Sequence, residues 1–131
     1  MEQIGDNFFL AKDHKDLALQ AIKGLAGKET IHDSSGDHFA WVDTNCLLEA
    51  TNLKEAMNEW RWLTSEDDTG NIDEICFGGE KAGDDEMLFN AIAMYVKSGS
   101  YIEMRGEGSH MWRWVFDGIV CKKVYPKISW E

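Results

Sequence analysis

Twice along this chain the apolar spacing changes from every third or fourth residue to every second, and that change of period most restricts the fold. Leu53, Ala56, Met57 and Trp60 share one helical face, after which "RWLTS" and "IDEICF" alternate around "EDDTGN". Leu88, Ala91, Ile92, Tyr95 and Val96 repeat at helical spacing within "GDDEMLFNAIAMYVKSG". "SYIEM" and "MWRWVF" then alternate around "RGEGSH". Each is a helix followed by a hairpin, over 52–78 and 84–117, because turn residues stand where the chain must reverse. Asn52 is placed to cap the first of these helices with Glu55 reaching back, and "KSG" to close the second, whose acidic first turn suits the helix dipole.

The rest of the chain fits the same architecture. An earlier helix is expected from Asp13 as cap and Asp16 in its first turn. Its stripe would be Leu17, Ala18, Ala21, Ile22 and Leu25, closed by Gly27. "NFFLA" and "HFAWVD" read as strands, and Asp117-Gly118 turns into "IVCKKVY", a strand antiparallel to "MWRWVF". Pro126 ends the regular pattern, leaving "KISWE" as an edge strand or a packed tail. The prediction is one α+β domain over 1–131, with three helices packed on one face of a mixed or mainly antiparallel sheet built from helix–hairpin units.

Charge and cysteine usage narrow the function. The net charge is −11 and residues 66–86 alone hold nine acids against Lys81, a balance of −8. Residues 97–127 carry a local balance of +3. Such a chain is repelled by phosphate backbones and anionic lipid, so direct nucleic-acid binding is not expected. No apolar run reaches the ~18 residues of a membrane span, and "MEQIGDNFFLAKD" lacks the form of a signal peptide, which together predict a cytoplasmic protein. Cys46, Cys76 and Cys121 are odd in number and never arranged C-x-x-C, which predicts three reduced, mostly buried thiols.

Trp-Arg-Trp occurs at 60–62 and again at 112–114. On a strand, Trp112, Trp114 and Phe116 share one face and Met111, Arg113 and Val115 the other. The preferred reading is core packing, since large aromatics go where area can be buried. The competing reading is a stacking platform for a nucleotide-like small molecule, built from Trp112, Trp114, Arg113 and His110, with Trp62 and Arg61 as its counterpart. "HDSSGDH" offers His32, Asp33, Asp37 and His38 as divalent-metal ligands for a metal-dependent enzyme, against the plainer reading of a turn between strands. "EDDTGNIDE" fails the spacing of a calcium loop. No nucleophile–base pairing of a cysteine with His14, His32, His38 or His110 is recognisable from spacing.

Over "GEKAGDDEMLFNAIAMYVKSGSYIEMRGEGSHMWRWVFDG" the chain resembles a family of small, acidic, uncharacterised proteins of bacteria and their phages. "FAWVD" and "EAMNEWRW" extend the likeness more loosely. Met94 stands where that family commonly has proline, and Gly108 follows Glu107 directly where it has an intervening aspartate. The resemblance implies no activity and no catalytic residue, but implies a gene that travels with mobile elements.

The resulting expectation is a non-catalytic interaction protein without a cofactor, whose acidic loops (Asp67, Asp68, Asp84 and Asp85 among them) meet a partner with a basic surface. A homodimer is expected if an aromatic sheet face is left uncovered by the helices.

Overall fold

The computed structural model describes residues 1–34, 36–80 and 83–130, with the side chains of Asp37 and Ser109 outside that description. The elements run β1 (Glu2–Asn7), α1 (Lys15–Lys23), β2 (Ile31–Asp33), β3 (Gly36–His38), α2 (Thr44–Glu49) and α3 (Leu53–Glu59). They continue as β4 (Trp62–Glu66), β5 (Ile72–Phe77), α4 (Asp85–Ile92), β6 (Tyr101–Arg105), β7 (Met111–Phe116) and β8 (Cys121–Val124). Among the described residues there are thus four α-helices, one more than the spacing predicts, and the class is α+β.

Among the described residues all strand pairing is antiparallel, but it is divided among three sheets: β1-β6-β7-β8, β4-β5 and β2-β3. The expected single sheet is interrupted between β1 and β5, where a side chain takes over from the backbone. Gln3 Nε2 donates to the Ile75 carbonyl at 2.7 Å, and its Oε1 accepts from the Phe77 N–H at 2.8 Å. An amide side chain offers the same donor–acceptor pair as a peptide, so β5 is satisfied along that edge without a ladder. Leu10 completes the joint. It exchanges two backbone bonds with Ile72, both 2.9 Å, and forms a second bridge with Val96.

Phe89 on α4 is the centre of the aromatic core. Its ring lies 5.0 Å from Trp62, 5.3 Å from Trp114 and 5.6 Å from Phe116, in tilted or edge-on geometries that suit ring quadrupoles. This one residue therefore joins the four-stranded sheet to the β4–β5 hairpin.

The helix–hairpin units are present, with their ends displaced. Asn52 Oδ1 accepts from the Glu55 N–H at 2.9 Å as expected, whereas Glu55 returns its carboxylate to Thr51, one residue before the cap. In α1 the stripe is Ala18, Leu19, Ile22 and Leu25, with Leu17 exposed. Asp13 makes no cap there, because a 3-10 turn at Lys12–His14 precedes the helix. α4 stops at Ile92 and finishes as a 3-10 turn at Ala93–Tyr95. The first strand is Glu2–Asn7 and not "NFFLA", since Phe8 and Leu10 turn inward. "HFAWVD" is strand only up to His38. Trp41 adopts φ 65° and the chain turns into α2, the unexpected helix, where Asp43 Oδ1 accepts from the Cys46 N–H at 3.1 Å. Residues 125–130 form no regular element and lie exposed. Of the thiols, Cys121 is buried but Cys46 and Cys76 are exposed, contrary to expectation.

Candidate functional site

The two Trp-Arg-Trp triplets reach the core by different routes. In β7, strand alternation turns Trp112 and Trp114 inward, 9% and 6% exposed, and Arg113 outward. Arg113 Nε bonds Glu103 at 2.7 Å and its guanidinium stands 4.7 Å over the Tyr101 ring. His110 is exposed in the β6–β7 connection. The proposed stacking set is therefore split across the sheet. The outer face of β6–β7 carries this pair and Glu2 with Arg105 at 3.5 Å, and a cavity of about 220 Å³ is lined there by Glu103, Met111, Arg113, Tyr125 and Pro126 among others.

The first triplet is not a strand. Trp60 caps the C-terminus of α3 and Trp62 opens β4, and both are fully buried because Arg61 between them takes φ 68°. A left-handed non-glycine residue costs about 1–2 kcal/mol, a cost that burying two indoles exceeds. The Arg61 guanidinium lies 5.3 Å from the Phe77 ring centre. Two glycines give it room: a Cβ on Gly79 would stand 2.5 Å from Nη1, and one on Gly83 2.6 Å from Nη2. Burial lowers the Arg61 pKa, and the neighbouring Asp85 works against that shift.

Asp85 is buried beneath this cluster, which removes it from the acids able to meet a partner. Trp62 Nε1–H donates to its Oδ1 at 3.0 Å, and the Gly83 N–H reaches Oδ2 at 3.4 Å. Burial raises the Asp85 pKa above its usual value, with Trp62, Gly83 and Arg61 opposing. Asp84 is also engaged: its Oδ2 accepts from Thr30 Oγ1 and from the Ala40 N–H, both at 2.9 Å. Between these acids and the two indoles is a cavity of about 220 Å³. Lys123 stands across it, with Nζ 4.8 Å from the Trp112 ring and 5.6 Å from Trp114. That space is below the ~300–1,000 Å³ of most small-molecule sites, and the chain's own ammonium covers its aromatic wall.

The remaining acids are on the β4–β5 hairpin. Asp67 organises its turn, accepting from the N–H and hydroxyl of Thr69 and from the backbone and side chain of Asn71, at 2.9–3.1 Å. Those bonds, Asn71's side chain foremost, hold its pKa down at about 2. Asp68, Asp73, Glu74 and Glu66 are exposed around the same hairpin, with Lys15 bonded to Glu66 at 2.7 Å. Its outward face presents Leu63, 48% exposed, opposite exposed Cys76. This apolar pair lies toward the open end of the hairpin, with Glu66, Asp68, Asp73 and Glu74 toward its turn.

Within "HDSSGDH", His32 and Asp33 of β2 pair with Asp37 and Gly36 of β3. His38 Nε2 lies 3.2 Å from Asp33 Oδ2, while His38 Nδ1 lies 2.9 Å from the Phe39 carbonyl. The side chain of Asp37 is outside the described residues. Among the described residues no three His, Cys, Asp or Glu side chains converge as metal ligands. A depression of about 570 Å³ opens beside this hairpin, where exposed Trp41 stands next to His38, Asp43 and Thr44. Trp41 carries no signal in spacing, since alternation through "HFAWVD" would bury it. Among the described residues no helix is long and apolar enough to cross a membrane.

No protein-family model, no curated protein and no solved structure matches the chain.

Proposed function

We propose that this protein is a non-catalytic interaction module whose β4–β5 hairpin docks a basic, partly apolar protein surface, and that its gene belongs to a mobile element. The observation that carries the reading is Leu63 and Cys76 standing outward beside the acidic turn end of the hairpin, which holds Glu66, Asp68, Asp73 and Glu74. An apolar centre supplies affinity, while the acids speed and orient encounter with a cationic surface. The mobile-element clause rests on the resemblance over 79–118 described above.

Titration with an amphipathic Lys/Leu peptide, followed by backbone amide shifts, tests the docking. Shifts should concentrate on 63–76 and weaken between about 0.01 M and about 1 M salt, as the Debye length falls from about 30 Å to about 3 Å. Replacing Asp68, Asp73 and Glu74 together by lysine should abolish them. Shifts centred elsewhere, or indifferent to salt and to the charge reversal, would refute the reading.

A further inference from the structure

Ile119, Tyr125, Ile128 and Trp130 are all well exposed, the last two at 86% and 93%. Large side chains left in water this way mark a surface that another molecule covers. The same 119–130 stretch holds Lys122, Lys123 and Lys127 and no acid, within a chain of net charge −11. Beyond β8, which is the outer strand of its sheet, residues 125–130 have no strand partner.

β4 offers what this segment lacks. It pairs with β5 on one side only, leaving a row of backbone groups along its other edge. Beside β4, a cavity of about 300 Å³ lies between Leu63 and Thr64 on one wall and Lys54, Glu55 and Asn58 of α3 on the other. Thr64 is buried, yet its hydroxyl has no hydrogen-bond partner among the described residues. An unpaired strand edge beside an apolar groove is the receptor geometry for an added strand.

We infer that residues 125–130 of a second copy lie along the β4 edge as an additional strand, and that reciprocal exchange closes a two-fold dimer. The inference rests on the docking reading above and names the occupant of that hairpin. Charge is compatible, because Lys127 is the one charged side chain of the donor segment, with Lys122 and Lys123 just before it, and the acceptor hairpin carries Glu66, Asp68, Asp73 and Glu74. The segment's own position points to a second copy. Within one chain Tyr125 and Pro126 border a cavity beside Met111 and Arg113 of β7, not the groove beside β4. Direct β8-to-β8 pairing is disfavoured, since Lys122 and Lys123 of the two copies would oppose each other.

Sedimentation equilibrium of the full chain at micromolar concentration should give the mass of two chains. Ile128→Asp/Trp130→Asp removes the donor, and Leu63→Lys spoils the acceptor. All three positions are exposed, so the fold should survive, and each variant should sediment as one chain. Mixing the donor-defective with the acceptor-defective protein should restore a dimer, because one strand exchange remains possible. A single-chain mass for the unaltered protein, or a dimer unaffected by either variant, overturns the inference. The Lys/Leu peptide separates the two claims. If it binds the 63–76 amides of a protein that stays single-chain, the self-exchange fails and the docking reading stands. If the dimer forms as described and the peptide displaces it, both hold.

Discussion

Replacing Asp85 separates two roles that the buried carboxylate combines. Asp85→Ala removes the acceptor of the Trp62 indole N–H, a bond of 3.0 Å in a dry environment. A buried donor left without a partner costs about 1–3 kcal/mol. Asp85→Asn keeps an oxygen where Oδ1 was, so its cost at low pH should stay under about 1 kcal/mol, the size of a net hydrogen bond. The two variants should also differ in pH dependence. Burial raises the Asp85 pKa above 3.8, so the folded state retains the proton after the unfolded chain has released it. This group's stabilising contribution is therefore complete below pH 3.8 and is lost as the pH rises through its folded-state value. The asparagine variant cannot ionise, so its stability relative to the parent should improve as the pH rises from that region toward neutrality. Urea unfolding at a series of pH values gives both quantities. Trp62→Phe is the complement: with its donor gone, the carboxylate becomes harder to ionise and the pH dependence should steepen. If asparagine proved as destabilising as alanine, the acceptor role would be wrong. A parent-to-asparagine difference that did not move with pH would show that Asp85 titrates normally.

Phe89→Ala should lower stability by about 3–5 kcal/mol in the same assay, since it leaves a void facing three rings at once. Asp67→Ala should speed amide exchange at Thr69 and Asn71, and the protection that Asp67 gives should fade as the pH falls from 3.8 to about 2. A thiol reagent should modify two cysteines in the folded protein, Cys46 and Cys76, with Cys46 the slower because Asp43 raises its pKa. Cys121, buried and pushed up to about 12, should react only on unfolding. Gly79→Ala should destabilise by about 1–3 kcal/mol through its clash with the Arg61 guanidinium and the Phe77 ring, and Arg61→Ala should relieve part of that loss.

Local rules were readable where one interaction decides the outcome. The Asn52 cap, the Asp67 turn and the inward placing of Trp112 and Trp114 each depend on residues within a few positions of one another. What escaped the sequence was decided by distant partners. Gln3 lies ahead of the strand expected at "NFFLA", and only with β5 placed beside it does its amide explain why the sheet divides. The crossing of the first Trp-Arg-Trp from helix to strand was legible in the change of period, but the left-handed turn at Arg61 has no mark in composition. Asp85 looked like one more solvated acid in a helix's first turn. Its burial depends on Trp62, 23 positions away. α2 was missed because six residues with one buried leucine carry too little periodicity, although Asp43 ahead of them is an ordinary cap.

The pairing of Glu2 with Arg105 sets a timetable for biosynthesis. The opening strand emerges from the ribosome about a hundred residues before its partner, a delay of roughly 5–20 s at ordinary elongation rates. Over that interval α3 and its hairpin can mature from neighbouring segments, whereas the nascent N-terminal ribbon stays unzipped and Gln3 has nothing secured behind it. Closure of the sheet is thus postponed until β6 has been made, and a chaperone or nascent-chain protease has its longest opportunity at β1.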